Sequence, residues 1–324
     1  MVHTRSLAVA ASAFLLGDPR LAAGGSTELQ SVLKNTHGSN DYGYPTDFTR
    51  GIMPFRVEAY YSIRSQFTRI MTIGETYLST PAYPKDVSRQ KPMYGCIMTP
   101  STSVGHDESS LTKDRTLESL YINPILDVLK LQNPSSPFVT SPTNNGVFDT
   151  STSQTLYFFI DLKTSGPETL KAVISALQPL RDQGYLTTLK DNKTLTTGPV
   201  TVIGTGNTPL DMVGPVADRD YFYDAPLEAL AEPEYADITG LISPIASTNF
   251  ASAVGPVKGE KLSDEQIEAL RQQIQTAEER GIGARYWGTP YYPVRTRNFV
   301  WRTLLEEGVA LLNADDLDAV VEYF

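Results

Sequence analysis

Cysteine is all but missing from this chain, histidine is scarce, and no long apolar run occurs. The single cysteine, Cys96, rules out an internal disulfide and leaves the redox compartment unread. Histidine occurs three times in 324 residues, at His3, His37 and His106, so imidazole chemistry has few candidates. No stretch approaches the roughly 20 apolar residues of a transmembrane helix. A Gly-x-Ser-x-Gly elbow is absent, which argues against an α/β-hydrolase of the serine type. Positive charge is also short: 27 Lys and Arg against 37 Asp and Glu leave a formal charge of -10. That balance argues against nucleic acid, or an anionic membrane surface, as an electrostatically bound partner. An acidic protein acting on an anionic ester would need a local cation to offset repulsion. Internal repeats and low-complexity segments are lacking too. What remains is a chain of 40% hydrophobic residues, long enough for one barrel-sized domain or two ordinary ones.

The most informative stretch runs from Phe67 to Val104. Its sequence, FTRIMTIGETYLSTPAYPKDVSRQKPMYGCIMTPSTSV, has neither helical nor strand periodicity, although both flanks are orderly. Back-translated with permitted codons and read one nucleotide out of step, Phe67 to Thr80 spells His-Ser-His-Asn-Asp-Tyr-Trp-Arg-Asp-Val-Pro-Leu-Tyr. In the same shifted window Lys91 to Ser103 spells Glu-Ala-Asp-Val-Trp-Leu, a free position, then Asn-Asp-Thr-Leu-Tyr-Val. Two of the three bases in each shifted codon are dictated by the residue that stands here, so the freedom is confined to third positions. The tract reads as out of frame, with a His-x-His and a Glu-x-Asp motif hidden in it.

In frame, the chain carries YGYPTDFTRGIMP (Tyr42 to Pro54), VGHDESSLTKDRTLESLYINPILDVL (Val104 to Leu129) and GVFDTSTSQTLYFFIDLKT (Gly146 to Thr164). It continues with GPVTVIGTGNTPLD (Gly198 to Asp211), RDYFYDAPL (Arg219 to Leu227) and the end from Ala284 to Leu317. With the hidden motifs, these segments resemble the fungal phospholipase-C-like phosphodiesterases, the group named for altered inheritance of mitochondria protein 6. That group is related to glycerophosphodiester phosphodiesterases and sphingomyelinase D. The resemblance covers most of the chain from about Asp41 onward.

Periodicity alone predicts alternating strands and helices past the scrambled tract. Leu156 to Leu162 and Val200 to Gly204 are apolar and β-prone, as strands buried on both faces are. Tyr221 to Tyr223, Ile238 to Ile242, Ala284 to Trp287 and Val309 to Leu312 read as further strands. Helices are expected over Pro167 to Asp182, Ser263 to Arg280, Thr296 to Glu307 and Asp315 to Tyr323, with Ser263 and Gln266 forming a capping box. Such alternation gives an α/β fold with a parallel sheet, either an open doubly wound sheet or a closed barrel. The resemblance selects the (β/α)8 TIM-barrel-like form, phospholipase-C-like in type and irregular or incomplete at 67–104. One domain over 26–324 follows, preceded by residues 1–25. His3 and Arg5 ahead of LAVAASAFLLG have the shape of a secretory signal, and the same run reads equally as a flexible tail or a misplaced start. A true signal would place the protein outside the cell or in the endomembrane system, where the Asn192-Lys193-Thr194 sequon would matter.

Polar residues fall where a barrel enzyme needs them, after the strands. Asp161 and Lys163 close one strand and Asn207 follows the next. Ser247 and Asn249 come after another, Trp287 closes a fourth, and Asn313 with Asp315 closes the last. His106 has a strand-end context that His3 and His37 lack; it reads as a general acid or base, or as a surface histidine beside a capping Asp107. Asp161 reads as a cation ligand or as the ion-pair partner of Lys163, two positions on along the same strand face. The resemblance implies metal-assisted cleavage of a small phosphodiester or lysophospholipid-like substrate. In it Asp161 would hold Mg2+ or Ca2+, His106 would act as acid or base, and Lys163, Asn207 and Trp287 would bind substrate. The other carboxylate ligands and the second histidine belong to the out-of-frame motifs, so the chain as it stands is expected to bind metal weakly and turn over poorly. A non-catalytic barrel, a pseudoenzyme or interaction scaffold, is the alternative. Thr36-His37-Gly38-Ser39-Asn40-Asp41-Tyr42 echoes the hidden motif but precedes the Tyr-Pro-Thr-Asp segment and reads as loop. Gly204-Thr205-Gly206-Asn207 lacks the third glycine of a dinucleotide fingerprint and reads as a turn at the barrel rim.

Overall fold

The computed structural model describes residues 57–59, 102–105, 111–135, 143–148, 151–314, 316, 319–320 and 323. The scrambled tract up to residue 101, His106, Asp315 and the N-terminal segment lie outside the described residues, and with them the expectations for signal, tail and lost motifs.

Nine strands are described: β1 (Val57–Ala59), β2 (Leu156–Leu162), β3 (Thr188–Lys190), β4 (Thr194–Thr196), β5 (Val200–Gly206), β6 (Tyr221–Pro226), β7 (Ile245–Asn249), β8 (Gly283–Trp287) and β9 (Leu311–Ala314). Seven form one sheet in the order β1-β9-β8-β7-β6-β5-β2, and every neighbouring pair in it is parallel. The strands expected at Leu156 to Leu162 and Val200 to Gly204 are neighbours: β2 and β5 pair along their full length, Leu156 opposite Val200 and Asp161 opposite Thr205. The fold is thus mixed α/β with a curled parallel sheet, a barrel left incomplete. Among the described strands its edges are β1 and β2, and the chain between them contains the scrambled tract.

The two faces of the sheet differ as parallel strands require. Phe158, Ile160, Leu162, Val200 and Val202 pack with Leu170, Val173 and Leu177 of the following helical segment. Ala225, Ala246, Ala284, Tyr286 and Leu312 pack with Leu270, Ile274, Val300, Trp301 and Leu304. The opposite face gathers Phe159, Ile203, Phe222, Ile245 and Leu311, one from each of five strands, into a separate core. Each such side chain contributes about 1.5–3 kcal/mol of burial, so this layer fixes the strand register from inside.

Local chemistry sets the element boundaries. The expected helix over 167–182 is two pieces, Gly166–Ala176 and Gln178–Asp182, because Pro179 has no N–H to continue the ladder. The helix Asp264–Glu278 carries the expected box: Ser263 Oγ accepts from the Gln266 backbone N–H at 3.3 Å, and Gln266 Oε1 accepts from that of Ser263 at 3.0 Å. Val294–Glu306 forms the last long helix. Two expectations are corrected. Residues 238–242 are not a strand: the N–H groups of Ile242 and Ser243 both bond the Thr239 carbonyl at 2.9 Å, which makes a turn. Ser243 Oγ then accepts from the Ala225 N–H, and the strand begins only after Pro244, as β7. The last strand starts two residues later than expected, at Leu311, because Gly308 with φ 90° turns the chain out of the preceding helix. The β3–β4 hairpin was not foreseen. Its turn, Asp191-Asn192, holds both residues at positive φ, a conformation that Asx side chains tolerate.

Candidate functional site at the C-terminal rim

Alternation along the strands places a polar layer directly above the Phe159–Leu311 core. Two residues beyond each core position come Asp161 on β2, Thr205 on β5, Asp224 on β6, Ser247 on β7 and Asn313 on β9, with Arg285 on β8. Six successive strands therefore each contribute one polar group: Asp161, Ser247, Arg285 and Asn313 are buried, Thr205 and Asp224 are partly buried, and the Asp224 Oδ1 atom is itself buried. Buried polar groups need partners. Arg285 Nη1 donates to Ser247 Oγ at 3.1 Å and Nη2 to Asn313 Oδ1 at 2.8 Å, while the guanidinium stacks 4.8 Å from the Phe159 ring centroid. Burial pushes the Asp224 carboxyl up to about 6, against the opposing pull of Arg285 and the hydroxyls of Ser247 and Thr205; the charge of Asp161 adds to the rise.

The next layer out is the rim. Asp161 Oδ2 lies 2.7 Å from Lys163 Nζ, and Lys163 is the more exposed of the two. The ion-pair reading of Asp161 is thus realised in the geometry. Beside it, the backbone N–H of Asn207 bonds the Leu162 carbonyl at 2.8 Å and its side-chain amide donates to the Thr164 carbonyl at 3.1 Å. Gly206, at φ 64°, lets the end of β5 pass against the Asp161 carboxylate, where any Cβ would collide with Oδ1. Asp161, Lys163 and Asn207 are therefore brought together. Trp287 sits at the same end of the sheet, at the close of β8, half-exposed. Ser247 and Asn249 lie within β7 rather than after it, and Asn249 caps the short helix that follows, accepting from the Ser252 N–H at 3.0 Å. His106 is outside the described residues.

Sequence reasoning missed Asp224, Arg285 and Thr205. The signal for the first two was present: Tyr-Phe-Tyr-Asp-Ala and Ala-Arg-Tyr-Trp each set a charge inside an apolar strand, the pattern that marks Asp161.

A hard divalent cation takes six or more oxygen ligands, drawn from carboxylates, carbonyls, water and substrate. Among the described residues no group of three His, Cys, Asp or Glu side chains is placed to hold a metal ion. Asp161 has its Oδ2 committed to Lys163, and Asp224, in the same layer, lies in the field of Arg285. The described residues alone do not fit such an ion. Likewise, no described helix is long and apolar enough to cross a membrane.

A family model described as an AIM6-like phosphodiesterase domain matches residues 96–224, the span that holds Asp161, Lys163, Asn207 and Asp224. The altered inheritance of mitochondria protein 6 homolog of Arthroderma benhamiae is 46% identical over 331 positions, covering 99% of this chain and 100% of that protein. Altered inheritance of mitochondria protein 6 of Eremothecium gossypii is 33% identical over 68% of this chain and 59% of its own length. The Zygosaccharomyces rouxii protein of the same name is 29% identical over 85% of this chain and 71% of its own. No solved structure matches. On the near-complete alignment with the Arthroderma protein, this chain belongs to the altered inheritance of mitochondria protein 6 family and carries its AIM6-like phosphodiesterase domain.

Proposed function

We propose that the C-terminal rim binds the phosphate of a small phosphodiester, lipid-type or glycerophosphodiester-like, and that the domain is a phosphoric diester hydrolase on an incomplete (β/α)8 barrel of the phospholipase-C-like kind. The observation that carries this reading is the Asp161–Lys163 pair at the mouth of β2, with Asn207 beside it, inside the matched phosphodiesterase domain. Lys163 Nζ supplies positive charge at a rim whose chain is otherwise acidic, and a substrate phosphate would share or displace Asp161 as its partner. Trp287 offers a flat apolar wall for the substrate's organic part. His106 is assigned the proton transfer. A Mg2+ or Ca2+ ion, with Asp161 among its ligands, is proposed for the complete family site; it would neutralise phosphate charge there. The remaining ligands would come from the Glu-x-Asp motif that the 67–104 tract has lost, so metal-dependent turnover by the chain as it stands is proposed to be negligible.

Isothermal titration with bis(p-nitrophenyl) phosphate tests the binding role. Lys163→Met should weaken binding at least tenfold. Asp161→Asn, which releases the lysine from its internal partner, should leave it equal or tighter. Unchanged binding in Lys163→Met would remove the phosphate from this rim.

A further inference from the structure

The segment from Trp287 to Val294, WGTPYYPV, links β8 to the last long helix and leaves the sheet at the rim just described. It carries four large apolar side chains in the open: Trp287 is 39% exposed, Tyr291 80%, Tyr292 73% and Val294 50%. Lone exposed apolar residues need no explanation, but four within eight consecutive positions do. Nothing in the local backbone demands them. Gly288, at φ 66°, gives the turn out of β8, where a Cβ would stand 2.7 Å from the Asn249 amide nitrogen, and Pro293 starts the helix.

Their chemistry is specific. Trp and Tyr have an apolar body and one polar group, the combination that settles at the boundary between lipid chains and headgroups. Charges of both signs lie beside them. The segment contains no acidic residue, and Arg295 follows it directly, paired at 3.4 Å with Glu260. Exposed Lys258 and Lys261 flank Glu260. Those cations complement headgroup phosphates, whereas the net charge of -10 gives no long-range attraction to an anionic surface.

We propose that the 287–294 segment docks the protein on a zwitterionic phospholipid surface, inserting Tyr291 and Tyr292 at the headgroup level with Trp287 behind them, next to the rim. The proposal names the surface on which the rim would meet a lipid-type substrate, and in that respect it rests on the preceding reading. Docking requires no turnover, so either can fail without the other.

The chain has two tryptophans, and Trp301 is 1% exposed in the core, so a change in tryptophan emission on docking reports Trp287. The probe is phosphatidylcholine vesicles, followed by co-sedimentation and by tryptophan-selective fluorescence. Binding with a blue shift, little altered by high salt and reduced at least tenfold in Tyr291→Ser/Tyr292→Ser, is the expected result. Both tyrosines are exposed, and an unchanged circular dichroism melt verifies the fold of the variant. Absence of binding to phosphatidylcholine overturns the proposal. Binding that needs anionic lipid and vanishes in salt overturns it as well. So does self-association without vesicles that the double variant dissolves, because the patch would then be an interface between copies.

Discussion

Asp224 shows how one residue ties the fold to the site. Its carboxyl is enclosed in the sheet interior, and burial lifts it from 3.8 to about 6. The sign of the consequence follows from proton counting. Below about pH 4 the folded and unfolded states both hold the proton, and the group is neutral in its effect. Between about 4 and 6 the folded state keeps a proton that the unfolded state has released, so stability falls as pH rises through that window and is flat above it. Two units correspond to roughly 3 kcal/mol. Asp224→Asn, measured by urea unfolding at pH 4.5 and 6.5, should remove this component of the slope. An identical slope in variant and wild type would mean that the carboxyl is not held protonated. Arg285, which the sequence reading passed over, is legible by the same rule that found Asp161: a charge in the middle of an apolar strand must have partners. What the sequence could not show is which partners. Ser247, Asn313 and the Phe159 ring meet Arg285 only because the sheet curls.

At the level of elements, the readable parts were those with strong local chemistry. The capping box at Ser263, the buried strands β2 and β5 and the helix Asp264–Glu278 are dictated within a few residues of chain. The failures share a cause. Residues 238–242 have β-prone side chains, but Gly240 sits against the Gly281 backbone and the Thr239 carbonyl gathers two N–H groups, so tertiary contact overrode propensity. The β3–β4 hairpin was invisible because its strands are short and β4 is wholly exposed, leaving no hydrophobic alternation to read. Removing the cap is a direct check on the readable class. Ser263→Ala leaves the Gln266 N–H without its side-chain acceptor and should cost about 1 kcal/mol in chemical denaturation. A loss below about 0.3 kcal/mol would show that solvent replaces the cap without penalty.

For the whole molecule, the sheet order and the sequence anomaly converge. The described strands form one curled sheet of seven, and its edges among the described residues, β1 and β2, are separated in the chain by the tract that reads out of frame. A strand whose codons are shifted loses its alternation along with its motifs, so one lesion would remove both a barrel stave and half of the site. Sequencing the transcript across Arg56 to Asp107 would locate such a lesion. The most direct measurement is functional: hydrolysis of bis(p-nitrophenyl) phosphate by the chain as it stands and by a version carrying the restored frame, each with EDTA and with Mg2+ or Ca2+. The restored version should turn over only with the cation and lose activity in His106→Ala, and the unrestored chain should give none. EDTA-sensitive turnover by the unrestored chain would contradict the account, because the reaction would then be carried by residues other than those assigned to it.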